Sequence, residues 1–212
     1  MGSLNGEVEW GSAGLALPGQ SLSGDRHVIA PTPTGILLGV VDGLGHGEEG
    51  AAAAEACVQT LQEHCAEPLL PLFGRCHERL HGTRGATLSL AHLDTREETL
   101  TWVGVGDVAG VWIPPADGGP RHYLACRGGV VGRTLPPLHS TTFPLRPRDL
   151  VILATDGLKT SFADETAFAP LDSCERIAGW LLHRFSRGTD DALVLVVRYL
   201  GGASARRSQA SG

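Results

Sequence analysis

In the run Gly35 to Gly47, GILLGVVDGLGHG, an apolar strand delivers one carboxylate, Asp42, into a turn that carries three glycines beyond it. An acid beside bare backbone suits a hard divalent cation. Asp42 offers oxygens, and Gly43 has no side chain to keep its own carbonyl, or a water on it, away from the ion. Taken alone, Asp-Gly after an apolar strand also describes an ordinary turn. The pattern recurs, however. Val151 to Gly157 (VILATDG) again runs an apolar strand into an acid, Asp190-Asp191 stands just before the strand of GTDDALVLVV, and Ser23-Gly24-Asp25 sets an acid ahead of the strand leading to Asp42. Four separated segments thus supply Asp, with no His or Cys at the acid itself. Oxygen-only ligand sets of this kind favour magnesium or manganese over zinc.

The elements that must position these acids can be read from patterning. Strands are expected near Val8 to Leu17, His27 to Ala30 and Gly35 to Val41, followed by a helix over Glu48 to Cys65. Its alanines favour a helix, and Glu48 and Glu49 complement the dipole in the first turn. A second helix is expected from Leu69 to His81, beginning near Pro68 and stopping at Gly82. Alternating, β-branched segments then follow at Ala86 to Leu93, Thr99 to Val105, Val108 to Ile113 and Arg121 to Ala125, and read as an antiparallel meander. Strands recur at Ser140 to Leu145 and Leu150 to Thr155, then a helix over Leu171 to Arg187 and a closing strand, Ala192 to Leu200. This order does not alternate as a parallel βαβ protein would. It predicts an α+β sandwich, with antiparallel sheets face to face and helices on the outer faces.

At 212 residues the chain has length for one domain with a two-layer core. A single domain over residues 1–200 is expected, with Gly201 to Gly212 (GGASARRSQASG) as a disordered tail. The net charge of −6 and the scattered Lys and Arg argue against nucleic acid as a partner. No stretch has the apolar length of a membrane span, and no signal-peptide layout opens the chain. Met1-Gly2 is followed by Gly6 where myristoylation expects Ser or Thr. A cytoplasmic protein is expected. The five cysteines form no Cys-x-x-Cys pair and read as reduced thiols.

The motifs together resemble the PPM-type, metal-dependent protein phosphatases (the protein phosphatase 2C superfamily), and within them the compact bacterial SpoIIE-like and RsbX-like branch. The matching residues are Ser23-Gly24-Asp25, Val41-Asp42-Gly43-Leu44-Gly45-His46-Gly47 before an alanine-rich helix, Gly104-Val105-Gly106-Asp107, Ala154-Thr155-Asp156-Gly157 and Asp190-Asp191. They occur in family order. The resemblance implies an αββα sandwich with two divalent cations, Mn2+ or Mg2+, at one edge of the sheets. By it Asp42 bridges both ions, Gly43 contributes its carbonyl directly or through water, Asp25 and Asp156 complete one shell, and Asp190 completes the other. Asp191 stands where many relatives carry Asn and ranks second to Asp190. Asp107 matches a position that in some relatives holds a third metal.

The chemistry implied is hydrolysis of phosphoserine or phosphothreonine in one step, by in-line attack of a hydroxide shared between two cations. The sequence offers no Cys-x5-Arg loop and no Asp-x-Asp nucleophile, so a phosphoenzyme is not expected. His46 is the titratable residue of the glycine turn, and a general acid there would protonate the leaving alkoxide. Eukaryotic relatives carry His directly after the Asp-Gly pair, where this chain has Leu44, so His46 can equally cap the helix or face solvent. Arg26 adjoins the first motif but has no certain match to the phosphate-gripping residue of eukaryotic members. His77-Glu78-Arg79-Leu80-His81 formally matches a His-Glu-x-x-His zinc motif, but the glycines after it and the missing third ligand favour a solvated helix end. Gly128 to Gly132 reads as a loop near the active site.

The small size suggests a freestanding unit, taken as a monomer, whose substrates by resemblance are phosphorylated STAS-domain proteins of a bacterial stress-signalling complex. A catalytically inactive pseudophosphatase that only binds phosphoproteins is the alternative.

Overall fold

The computed structural model describes residues 2–4, 6–45, 47–115, 119–165 and 173–202. Among these residues eleven strands and three helices follow one another as β1 (Gly2–Leu4), β2 (Val8–Leu15), β3 (Asp25–Thr32), β4 (Gly35–Gly43), α1 (Glu48–Glu63), α2 (Leu69–Arg79), β5 (Ala86–Asp94), β6 (Thr99–Val105), β7 (Ala109–Ile113), β8 (His122–Leu124), β9 (Thr141–Pro144), β10 (Leu150–Ala154), α3 (Cys174–Phe185) and β11 (Ala192–Tyr199). A short 3-10 turn over Thr160–Asp164 precedes α3.

The strands form two antiparallel sheets, β1-β2-β11-β10-β7-β8 and β3-β4-β5-β6-β9. Strand β4 shows why they stack. It is apolar on both faces, as a doubly covered strand must be. Leu37 and Val41 pack under α1 and α2. Ile36, Leu38 and Val40 point the other way, against Leu195 and Val197 of the facing sheet. Strand β11 repeats the pattern, with Val194 and Val196 turned outward beneath α3. Three apolar layers result, and the α+β sandwich with helices on both outer faces is the observed architecture.

Small residues let the helices come close. A Cβ on Gly43 would run into the Gly50 carbonyl of α1, and one on Gly11 of β2 would strike the backbone at the start of α3. Ser173 caps α3 by accepting a hydrogen bond from Arg176 N.

Several elements depart from expectation. The meander read across Ala86 to Ala125 is split: β5 and β6 stay in the five-stranded sheet, whereas β7 and β8 cross to the other. Patterning sees alternation but not which sheet a strand joins. The edge strand β1, pairing Gly2 to Trp10, was not expected. Helix α1 ends at Glu63 and α2 at Arg79, each two residues before its expected stop. The expected start of the third helix, at Leu171, lies outside the described residues, as do 203–212 of the expected tail. Gly201 and Gly202 are buried. No disulfide joins the five cysteines, and no described helix is long and apolar enough to cross a membrane.

Candidate metal centre and its relatives

The acids gather at one end of the sandwich because the strand starts and strand finishes that carry them alternate in antiparallel sheets and so meet at the same edge. Asp25 opens β3 and Asp42 lies at the close of β4, and the antiparallel register sets them directly opposite each other. Asp107 follows β6, Asp156 follows β10, and Asp190-Asp191 precedes β11. Both sheets therefore contribute.

Like charges opposed across a strand pair destabilise one another. In the titration of this pair burial comes first and neighbouring acids second, with Asp25 acting on Asp42. Burial, and then the nearby charges of Asp191, Asp156 and Asp190, push Asp25 up to about 7 against a hydrogen bond from Thr155 that lowers it. Burial, followed by the charges of Asp25, Asp156, Asp107 and Asp190, pushes Asp42 up to about 8. Asp156 is raised too, by desolvation and then by Asp107 and Asp190, with Arg187 opposing. The electrostatics thus bring together Asp25, Asp42, Asp107, Asp156, Asp190 and Asp191.

Their hydrogen bonds distinguish them. Among the described residues none pairs with the Asp42 carboxylate. Asp25 accepts from Thr155 Oγ1 at 2.7 Å. Asp191 is committed on both oxygens, to Leu17 N at 2.7 Å and to Gly24 N at 2.6 Å. It ties the approach to β3 onto the edge of β11. Asp190 accepts from Asp191 N. Gly24 also lets backbone oxygens crowd in: a Cβ there would stand 3.0 Å from Gly43 O and 3.5 Å from Gly45 O.

Thr155 was missed as a site residue, although it stands in the quoted motif. Its hydroxyl donates to Asp25 in one sheet and accepts from Leu193 N in the other, at 2.9 Å. It is a positioning residue. The available signal was a hydroxyl immediately before an acid at a strand end.

The other expected residues fall as follows. His46 lies outside the described residues. Arg26 is engaged structurally: its guanidinium donates to the carbonyls of Ser23 and Asp25 and faces Glu55 of α1. His77 accepts from Gly132 N at 2.9 Å, and so anchors a loop. That loop lies by the acidic end, since Arg127 bonds Gly104 and Gly106 on either side of Val105.

The donor set fits a hard divalent cation: a half-buried carboxylate on Asp42, the buried Asp25 opposite it, and glycine carbonyls close by. Among the described residues, no three Asp, Glu, His or Cys side chains are close-set enough to hold an ion as they stand. Gathering into a ligand shell would require the carboxylates to draw together.

Comparison with known proteins agrees with this architecture. Residues 32–200 match the family model of Stage II sporulation protein E (SpoIIE). Over 141 residues the chain is 25% identical to the phosphoserine phosphatase RsbX of Bacillus subtilis (strain 168), covering 66% of this chain and 69% of that one. It is similar to a crystal structure of RsbX in complex with magnesium, with a TM-score of 0.82 and 21% identity over 93% of this chain and 98% of that one. A chain from a structure of the bacterial stressosome gives a TM-score of 0.80 at 26% identity, covering 90% of this chain and 99% of the other. With four-fifths of its length matched by that model, the chain belongs to the SpoIIE family, and its similarity to RsbX supports the bacterial SpoIIE/RsbX-like branch of the PPM-type phosphatases.

Proposed function

We propose that the chain is a metal-dependent protein serine/threonine phosphatase acting on phosphorylated STAS-domain proteins of a stress-signalling assembly. The observation that carries this reading is the opposition of Asp25 and Asp42, a buried and a half-buried carboxylate whose repulsion a divalent cation would relieve. The similarity to a phosphoserine phosphatase and to a stressosome structure supports the substrate class.

Asp25, Asp42, the Gly43 carbonyl, Asp156 and Asp190 would hold the cations, with Asp107 available to a third. When bound, two divalent ions neutralise phosphoryl oxygens and lower the pKa of a water, so that hydroxide is at hand at neutral pH to attack phosphorus in line. The chain's own residues orient and shield. Thr155 fixes the Asp25 carboxylate, Asp191 holds the segment before β3 in place, and the apolar layers behind β4 keep water from the rear of the site. Magnesium is bound by the related RsbX, and the oxygen-only donor set here suits magnesium or manganese alike.

The alternative reading is a phosphoprotein-binding module without turnover. Phosphate release from a phosphoserine peptide and from an aryl phosphate, with manganese or magnesium and with a chelator, separates the two. Release that the chelator stops is expected. Metal binding without release would establish the binding module.

A further inference from the structure

A cleft of about 860 Å³ opens beside the acidic turn, where α1, the segment after α2 and the loop carrying Arg133 meet. Its lining mixes small apolar residues, Ala52 and Ala53 among them, with His81, Thr83, Arg84, Arg133 and Thr134, and among the described residues Glu49 is the one acid that faces it. This is unusual ground on a chain of net charge −6.

The cleft is joined to the candidate metal centre through backbone. Leu44 N, two residues beyond Asp42, donates to Gly85 O at 2.9 Å. Arg84 lies against the same turn: a Cβ on Gly45 would stand 3.0 Å from its Cδ and 3.1 Å from its Nε. Arg133 comes to Gly85 from the other side, with its Cγ 3.4 Å from the position of a Cβ there. Its loop is fixed by the pairing of Val131 with Ala86 and by the bond from Gly132 to His77.

The two arginines differ from Arg26, whose guanidinium is engaged by backbone carbonyls. Among the described residues Arg84 pairs with Glu49, at 3.6 Å, with the two side chains 62% and 70% exposed. Such a pair contributes about 0–1 kcal/mol and does not hold the cation from a better partner. An arginine fork prefers carboxylate or phosphate oxygens, which it can take in pairs.

We propose that this cleft receives an acidic stretch of the phosphoprotein substrate, with Arg84 and Arg133 taking carboxylates that flank the phosphoserine, and that it sets which phosphoproteins are hydrolysed. The proposal rests on the phosphatase reading above and deepens it. Electrostatic complementarity of this kind discriminates between partners more than it accelerates the chemical step.

The test compares two phosphoserine peptides, one flanked by glutamates and one by lysines, on the full chain with manganese. The wild type is expected to favour the acidic peptide by about tenfold in kcat/KM, mostly through KM, with the preference shrinking as salt is raised. The double variant Arg84→Glu, Arg133→Glu is expected to reverse the preference. A structural role for these exposed side chains would not produce reversal. If the double variant fails to fold, Arg84→Gln alone should narrow the preference about threefold. Fluorescence anisotropy with phosphonate analogues of both peptides reads the cleft without turnover. A wild type that discriminates in neither measurement, or a double variant that keeps the original preference, overturns the proposal. If no phosphate is released from any substrate, the phosphatase reading fails, while the anisotropy result still decides the cleft.

Discussion

At the scale of single residues, the protonation of Asp25 and Asp42 makes a prediction whose sign is fixed by their raised pKa values. Both bind protons more tightly in the fold than in the unfolded chain, so their contribution to stability is full below their ordinary value of 3.8 and is lost as pH rises through about 7 and about 8. In chelator, the melting temperature of the protein should fall between about pH 5 and pH 8. Asp42→Asn should flatten that fall and stabilise the metal-free protein at the alkaline end, while eliminating phosphate release; a variant that retains both the slope and the activity would refute the assignment. Added manganese should raise the melting temperature more at the alkaline end than at the acid end, because the ligands must be deprotonated. Thr155→Val removes one donor to Asp25 and leaves Leu193 N unsatisfied, which costs on the order of 1–3 kcal/mol. Denaturant unfolding measures that cost, and calorimetric titration should show weaker manganese binding in the same variant.

Among the elements, the entry to α1 is the most sensitive. Gly50→Ala would drive a Cβ into the Gly45 carbonyl and within 2.7 Å of the Gly43 carbonyl. The clash should destabilise by about 1–3 kcal/mol and loosen metal binding together, since the same carbonyls border the acidic turn. The cap of α3 is the contrasting case. Ser173→Ala should cost about 1 kcal/mol in thermal or denaturant unfolding and leave turnover unaltered, because that helix packs on the far face. Much of this layout was legible beforehand. Apolar β4 and β11, the alanines of α1 and the Asp-Gly strand ends carry their own signals, since burial on two faces and helix propensity act locally. The roles of Thr155 and Asp191 did not show, because each depends on a partner far along the chain: Asp25 for one, Leu17 and Gly24 for the other. The same limit hid the crossing of β7 and β8 into the second sheet, as well as the cleft formed by Arg84 and Arg133.

Across the molecule, the layer between the sheets joins what the loops use. Leu195 is fully buried there, and Leu195→Ala should cost about 2–5 kcal/mol through the cavity it leaves. Below the lowered melting temperature, kcat should stay near wild type, since the side chain lies away from the acids; a matched loss of kcat would mean that the sheets shift relative to each other. The pairing of β2 with β11 has a broader consequence. It binds Val8–Leu15 to Ala192–Tyr199, and the acids at that end come from segments as distant as Asp25 and Asp190. No short contiguous fragment therefore gathers the candidate ion-binding acids, and contacts of such wide separation close slowly. Cation affinity should emerge only once the chain's two extremities have zipped together, so that metal uptake during refolding becomes a clock for the last step of assembly.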